Sequence, residues 1–124
     1  MAAHALATWY LHGIGVRKNF ATAVRLERMA ADAGIVDAIS NLALAYESGK
    51  GVAKDLKTAL KLYRRAARLG DPGAMYEVGR CFYYGIGTAR NEQLGKKWVR
   101  KSREAAESKR DPAGKATRVF ATTS

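Results

Sequence analysis

Gly49-Lys50-Gly51-Val52 decides how this sequence is read, because it recurs. Gly13-Ile14-Gly15-Val16 stands 36 residues before it and Gly85-Ile86-Gly87-Thr88 stands 36 residues after it. A period of that length belongs to stacked helical repeats. The first glycine is suited to end a helix, where the chain turns into a left-handed conformation that is costly for other residues. The second would let the backbone cross tightly toward the next helix.

The same register holds outside the glycines. Small residues recur at Ala2, Ala38 and Ala74, and Leu6, Leu42 and Val78 follow. An aromatic column runs through Tyr10, Tyr46 and Phe82, and each loop closes on Lys18-Asn19, Lys54-Asp55 or Arg90-Asn91. The second half of each unit repeats Ala23, Ala59 and Gly95, then Leu26, Leu62 and Trp98. The pattern predicts an all-α solenoid of about three helix-turn-helix repeats. The units cover about residues 2–37, 38–73 and 74–107, and a basic, disordered tail fills 108–124. Three units are about the minimum that can bury a shared core.

Helix boundaries follow from the cap residues. The spacing predicts first helices over Ala2–Leu11, Ala38–Glu47 and Gly73–Tyr84. It predicts second helices over Phe20–Ala33, Leu56–Leu69 and Glu92–Glu107. Asn19, Asp37, Asp55, Asp71 and Asn91 are the expected N-caps, with Pro72 in a first turn. Gly34 and Gly70 are the expected stops.

The middle unit reads Ala-x-x-x-Leu-Ala-x-x-Tyr-x-x-Gly-x-Gly-Val-x-Lys-Asp, then Ala-Leu-x-Leu-Tyr-x-x-Ala-Ala-x-x-Gly-Asp, over Ala38 to Asp71. It resembles the Sel-1-like repeat, a relative of the tetratricopeptide repeat. Repeat one departs from the pattern with Glu27 at the place of Tyr63. Repeat three departs with Thr88, Gly95 and Ala106, as a worn terminal unit would. The resemblance implies a right-handed α-solenoid of antiparallel helix pairs and a non-catalytic adaptor role, often in bacterial signalling, envelope or secretion settings. It also implies that first helices line a concave face.

On that face, positions outside the core pattern are the candidate partner contacts. They are His4, Thr8, Leu11 and His12 in repeat one, and Ser40, Leu44, Glu47 and Ser48 in repeat two. In repeat three they are Tyr76, Arg80, Tyr83 and Tyr84. The last four form the expected hot spot, since binding energy concentrates on aromatic residues and arginine. Packing against the tail or the neighbouring helix is the competing role for the tyrosines.

The second helices carry a separate signal. Arg25, Lys61 and Lys97 occupy one column, and Arg28, Arg64 and Arg100 the next. Lys57, Lys61, Arg64 and Arg68 make a stripe along one helix face. The net charge is +11. Such a stripe suits an acidic protein, nucleic acid or an anionic surface, or it is a solvated convex face. Nucleic acid is the weaker alternative, because no exposed aromatics interleave the stripe for base stacking, and such binding would be nonspecific and salt-sensitive.

Catalytic and metal chemistry is missing from the pattern. His4 and His12 lack a neighbouring carboxylate, so no metal site or cofactor is expected. No nucleophile, base and orienting group can be assembled, and the chain reads as no enzyme. The Gly-x-Gly pairs follow no strand and lack the third glycine of a dinucleotide fingerprint. Cys81 is the single cysteine, read as a small buried residue. With no apolar run long enough to span a bilayer and no leader ahead of repeat one, the expected setting is cytoplasmic. A periplasmic setting would follow if a leader had been removed. The chain opens directly into its first repeat, as a trimmed piece of a longer array would. The expected role is a monomeric or fragmentary adaptor, regulator or inhibitor and immunity-type protein holding an acidic partner.

Overall fold

The structure is a computed structural model that describes residues 19–110. Five helices follow one another in it: α1 (Phe20–Asp32), α2 (Val36–Ser48), α3 (Leu56–Arg68), α4 (Pro72–Tyr84) and α5 (Glu92–Arg110). The described residues contain no strand. Helix α1 is the second helix of repeat one, and α2–α3 and α4–α5 are the pairs of repeats two and three. Each helix packs against the next in the chain, and α4 against α5 most extensively. The result is the expected right-handed α-solenoid. The predicted first helix, Ala2–Leu11, lies outside the described residues.

Side-chain caps start four of the helices. Asn19 accepts from the Thr22 amide at 3.1 Å, Asp55 from Thr58 at 3.2 Å, Asp71 from Ala74 at 3.2 Å and Asn91 from Leu94 at 3.1 Å. Each satisfies one of the orphan donors of a first turn. Thr58 also donates its hydroxyl to Asp55 at 2.8 Å, and these bonds from Thr58 hold the Asp55 carboxyl below the ordinary carboxylate range.

Asp37 does not cap α2. The helix begins two residues earlier than predicted, with Ile35 at the cap and no side-chain bond there. The cause is the turn before it. Gly34, at φ +86°, donates to Ala31, and Ile35 donates back to Ala30. This Schellman closure of α1 leaves so short a link that helical geometry resumes by Val36. Asp37 therefore sits in the first turn, where its charge still faces the positive end of the helix dipole.

Gly49 ends α2 in the left-handed conformation at φ +73°. The second glycine has a different contact from the one expected. A Cβ on Gly51 would lie 2.3 Å from the Phe20 carbonyl oxygen, and one on Gly87 would lie 2.4 Å from that of Leu56. The loop thus crosses the start of the preceding repeat's second helix, not the helix that follows. Among the described residues, both Gly-x-Gly pairs are joints between repeats.

The core is rich in alanine. Ala30, Ala31, Ala38, Ala43, Ala59, Ala66, Ala67 and Ala74 are all buried, around the larger Ile39, Val78 and Cys81. Small residues let the helices approach closely, and dispersion over that contact replaces bulky side chains. In α3 the buried set is Ala59, Leu60, Tyr63, Ala66 and Ala67, one face of a 3.6-residue period. The opposite face carries the cations. Helix α5 runs through Arg110, past the predicted end at Glu107, so 108–110 are helical. The tail from 111 lies outside the described residues.

Candidate functional site

The candidate residues of repeat three gather at one groove of about 540 Å³ between α4 and α5. Its α4 wall carries Tyr76, Tyr83 and Tyr84. Tyr76 is 50% exposed and Tyr84 68% exposed. Tyr83 and Tyr84 meet edge to face, with ring centroids 5.0 Å apart. The α5 wall carries Lys96, Arg100 and Arg103 with Val99. The three cations are exposed. Aromatic faces and fixed positive charge therefore line one cleft.

Gly79 lines the groove, and behind it α4 meets α5 at Gly95. A Cβ on Gly79 would lie 2.8 Å from the Gly95 carbonyl oxygen, and one on Gly95 would lie 2.8 Å from the Tyr83 amide. The two backbones meet there as no pair of larger residues could. Gly95 is thus a packing residue of this helix pair, and the reading of repeat three as a worn unit is corrected at that position.

Arg80 is engaged inside the protein. Its guanidinium donates to both carboxylate oxygens of Glu47, each at 2.8 Å, and its Nε donates to Glu77 at 2.8 Å. Tyr63 donates its hydroxyl to Glu47 at 3.1 Å. Burial opposes the charge on Arg80, but its bonds to Glu47 and Glu77 outweigh it and hold the guanidinium more firmly protonated than usual. Burial first, and then the Glu47 charge, pushes the Tyr63 hydroxyl well above the ordinary phenol range. Since Glu47 belongs to repeat two and Arg80 to repeat three, this network clamps two repeats together.

The remaining repeat-two candidates divide. Ser40 donates to Asp71, the residue that caps α4, at 3.3 Å. Ser48 donates to the Leu44 carbonyl of its own helix at 2.8 Å. Leu44 stays 56% exposed. His4, Thr8, Leu11 and His12 lie outside the described residues.

The basic columns are on the surface. Arg25, Arg28, Lys57, Lys61, Arg64, Arg68, Lys97 and Arg100 are all exposed. Arg28 donates to the Tyr46 hydroxyl at 2.7 Å and lies over its ring at 5.6 Å. Arg100 joins the basic column to the tyrosine groove, two features that the sequence presents separately. Lys96 and Arg103 also belong to the groove, although neither lies in those basic columns. Their signal is the crowd of cations along α5.

Glu27 is 3% exposed and accepts from Asn41 at 3.3 Å. Burial pushes the Cys81 thiol up to about 11, so it stays protonated at neutral pH. Among the described residues no group of three or more His, Cys, Asp and Glu side chains could hold a metal ion. No described helix is long and apolar enough to cross a membrane.

A family model of the Sel1 repeat matches residues 1–35, 36–71 and 72–106. The chain belongs to the Sel1 repeat family. Such repeats are typically non-catalytic protein-interaction modules. A Sel1 repeat protein from Oxalobacter formigenes is 35% identical with a TM-score of 0.79, and the match covers 84% of this chain and 43% of that one. A protective antigen of uropathogenic Escherichia coli strains, displaying the same repeat fold, is 31% identical with a TM-score of 0.81. That match covers 83% of this chain and 22% of the antigen. Cysteine-rich protein B of Helicobacter pylori is 25% identical with a TM-score of 0.69, over 84% of this chain and 80% of that one. This Sel1 chain thus spans less than half the length of the first two. No curated protein matches it.

Proposed function

We propose that this Sel1 repeat chain is a non-catalytic binding module for an acidic partner protein, held in the groove between α4 and α5. The observation that carries the reading is the joining of Tyr76, Tyr83 and Tyr84 to Lys96, Arg100 and Arg103 in one cleft. Exposed aromatic area supplies contact energy, and the cations select an acidic surface and speed its approach. The net charge of +11 adds long-range attraction of the same sign. An adaptor, regulatory or inhibitor-type role follows, since binding is the activity this site offers.

The exposed basic columns of α1, α3 and α5 support a second reading, nonspecific association with nucleic acid or an anionic surface. One experiment separates the two. The chain is used as bait in cell lysate, with and without nuclease, beside Tyr76→Ala/Tyr84→Ala and Lys61→Glu/Arg64→Glu/Lys97→Glu variants. An acidic protein that survives nuclease and is lost only with the tyrosine variant supports the groove. Retention that vanishes with nuclease and with the charge-reversed variant moves binding to the columns and removes the groove reading.

A further inference from the structure

The repeat register says what shape the groove is made for. Thirty-six residues earlier, Tyr76, Tyr83, Lys96, Val99 and Arg103 correspond to Ser40, Glu47, Leu60, Tyr63 and Ala67. In repeat two these positions lie toward repeat three. Ser40 bonds to Asp71, the N-cap of α4, and Glu47 to Arg80 within α4, while Leu60, Tyr63 and Ala67 are buried. They form a seat for helix α4. The groove is the same seat one repeat later, with its occupant's chemistry changed.

The change is directional. Leu60 becomes Lys96 and Ala67 becomes Arg103, so an apolar seat gains two cations. Arg100 flanks them. Glu47, which receives Arg80 of α4, becomes Tyr83, so the seat no longer offers such an arginine a carboxylate. Another repeat of this chain's own kind is therefore a poor occupant, whereas the tyrosines and Val99 keep apolar area that a solvated end face would have no use for. We infer that the groove receives an acidic amphipathic helix of a partner protein, seated where the first helix of a following repeat would lie. This inference rests on the groove reading above and adds the shape of the partner. Charge complementarity selects that occupant. A second copy brings +11 to a cationic site. The chain's own residues from 111 onward carry Asp111 against Lys115 and Arg118, a net charge of the wrong sign.

The test uses the full chain and three synthetic peptides of equal composition, about as long as the 13-residue α2, α3 and α4. One places leucines on a single helical stripe flanked by glutamates. One scatters both sets around the helix. One has the stripe order with two central prolines, matched by prolines at the ends of the others. Affinity is read by fluorescence polarisation at low salt, and the site by amide shifts in NMR spectra. The striped peptide should bind at least tenfold more tightly than the other two and shift the amides of Tyr83, Val99 and Arg103. Lys96→Glu/Arg100→Glu/Arg103→Glu, all exposed positions whose folding circular dichroism checks, should weaken it at least tenfold and favour a lysine-for-glutamate peptide. Equal binding of all three peptides in the groove overturns the helix inference and leaves the acidic partner standing. Absence of groove binding by every acidic peptide, or indifference to the triple reversal, overturns both. Self-association abolished by the triple reversal would make a second copy the occupant. A tenfold gain in peptide affinity on Phe120→Ser would make the chain's own tail the occupant. Either result overturns the inference.

Discussion

Arg80→Ala should destabilise the fold by about 2 kcal/mol, a value bracketed by exposed ion pairs at about 0–1 and broken buried pairs at about 3–5 kcal/mol. The bracket applies because the three side chains are neither bare nor sealed: Arg80 is 28% exposed, Glu47 20% and Glu77 31%. Solvent screens part of the attraction and discounts the buried figure. The substitution removes bonds of 2.8 Å to Glu47 and Glu77. It leaves two carboxylates facing a shared gap, with the Tyr63 hydroxyl still bonded to Glu47. The junction between repeats two and three should loosen as a unit. Urea denaturation followed by far-UV circular dichroism measures the change, with Tyr84→Ala beside it. Tyr84 is 68% exposed, so its truncation should stay within about 0.5 kcal/mol. A loss below about 0.5 kcal/mol for Arg80→Ala as well would refute the clamp and return Arg80 to the surface as a binding residue. The distinction matters for function, since an affinity loss in an Arg80 variant would otherwise be read as a lost partner contact.

Gly51→Ala should cost more than Gly34→Ala. Both have positive φ, worth about 1–2 kcal/mol to a residue with a side chain, but only Gly51 has a carbonyl 2.3 Å from the added methyl. Equal midpoints in urea would show that the loop does not press on α1. Gly95→Ala should destabilise despite a helix-propensity gain of about 1 kcal/mol, because the methyl meets the Tyr83 amide at 2.8 Å. A higher melting temperature would mean that α4 and α5 stand farther apart. Asp55→Ala should lower the melting temperature at neutral pH and do so less in acid. The folded carboxyl lies below its ordinary value, so its contribution is present above that value and lost as pH falls through the lower one. A melting difference constant from about pH 7 to about pH 2 would remove Asp55 as the source.

Local signals in the sequence carry most of the fold. Asn19, Asp55, Asp71 and Asn91 cap where polar residues ahead of an apolar period should. Asp37 fails because the Schellman turn at Gly34 and Ile35 sets the start of α2, and a tight link outranks a side-chain cap. The second glycine of each loop is visible, but its contact is not. Gly51 touches Phe20 through the stacking of repeats, which no local pattern encodes. The tyrosines of the groove follow from register alone. The pairing of Arg80 does not, since Glu47 lies 33 residues away and is joined to it only when repeat three stacks on repeat two. Lys96 and Arg103 look like a solvated face until α5 is laid against α4.

The glycines distinguish the helix pair of repeat three from that of repeat two. Gly79 and Gly95 correspond to Ala43 and Ala59. Two glycines inside helices each cost about 1 kcal/mol against alanine, so propensity alone would favour alanine at both. Here the exchange brings one backbone onto the other, with the Gly79 and Gly95 positions facing at distances no Cβ would tolerate. Beside that contact Tyr76 and Tyr83 line the cleft from α4, and Val99 and Arg103 line it from α5. In repeat two Ala43 and Ala59 stand at the same register and are buried in the core. The same register position thus makes a core contact with alanine and a backbone contact beside the groove with glycine. That difference supports reading the helix pair of repeat three as a binding element of the solenoid and not as a decayed copy of its neighbour.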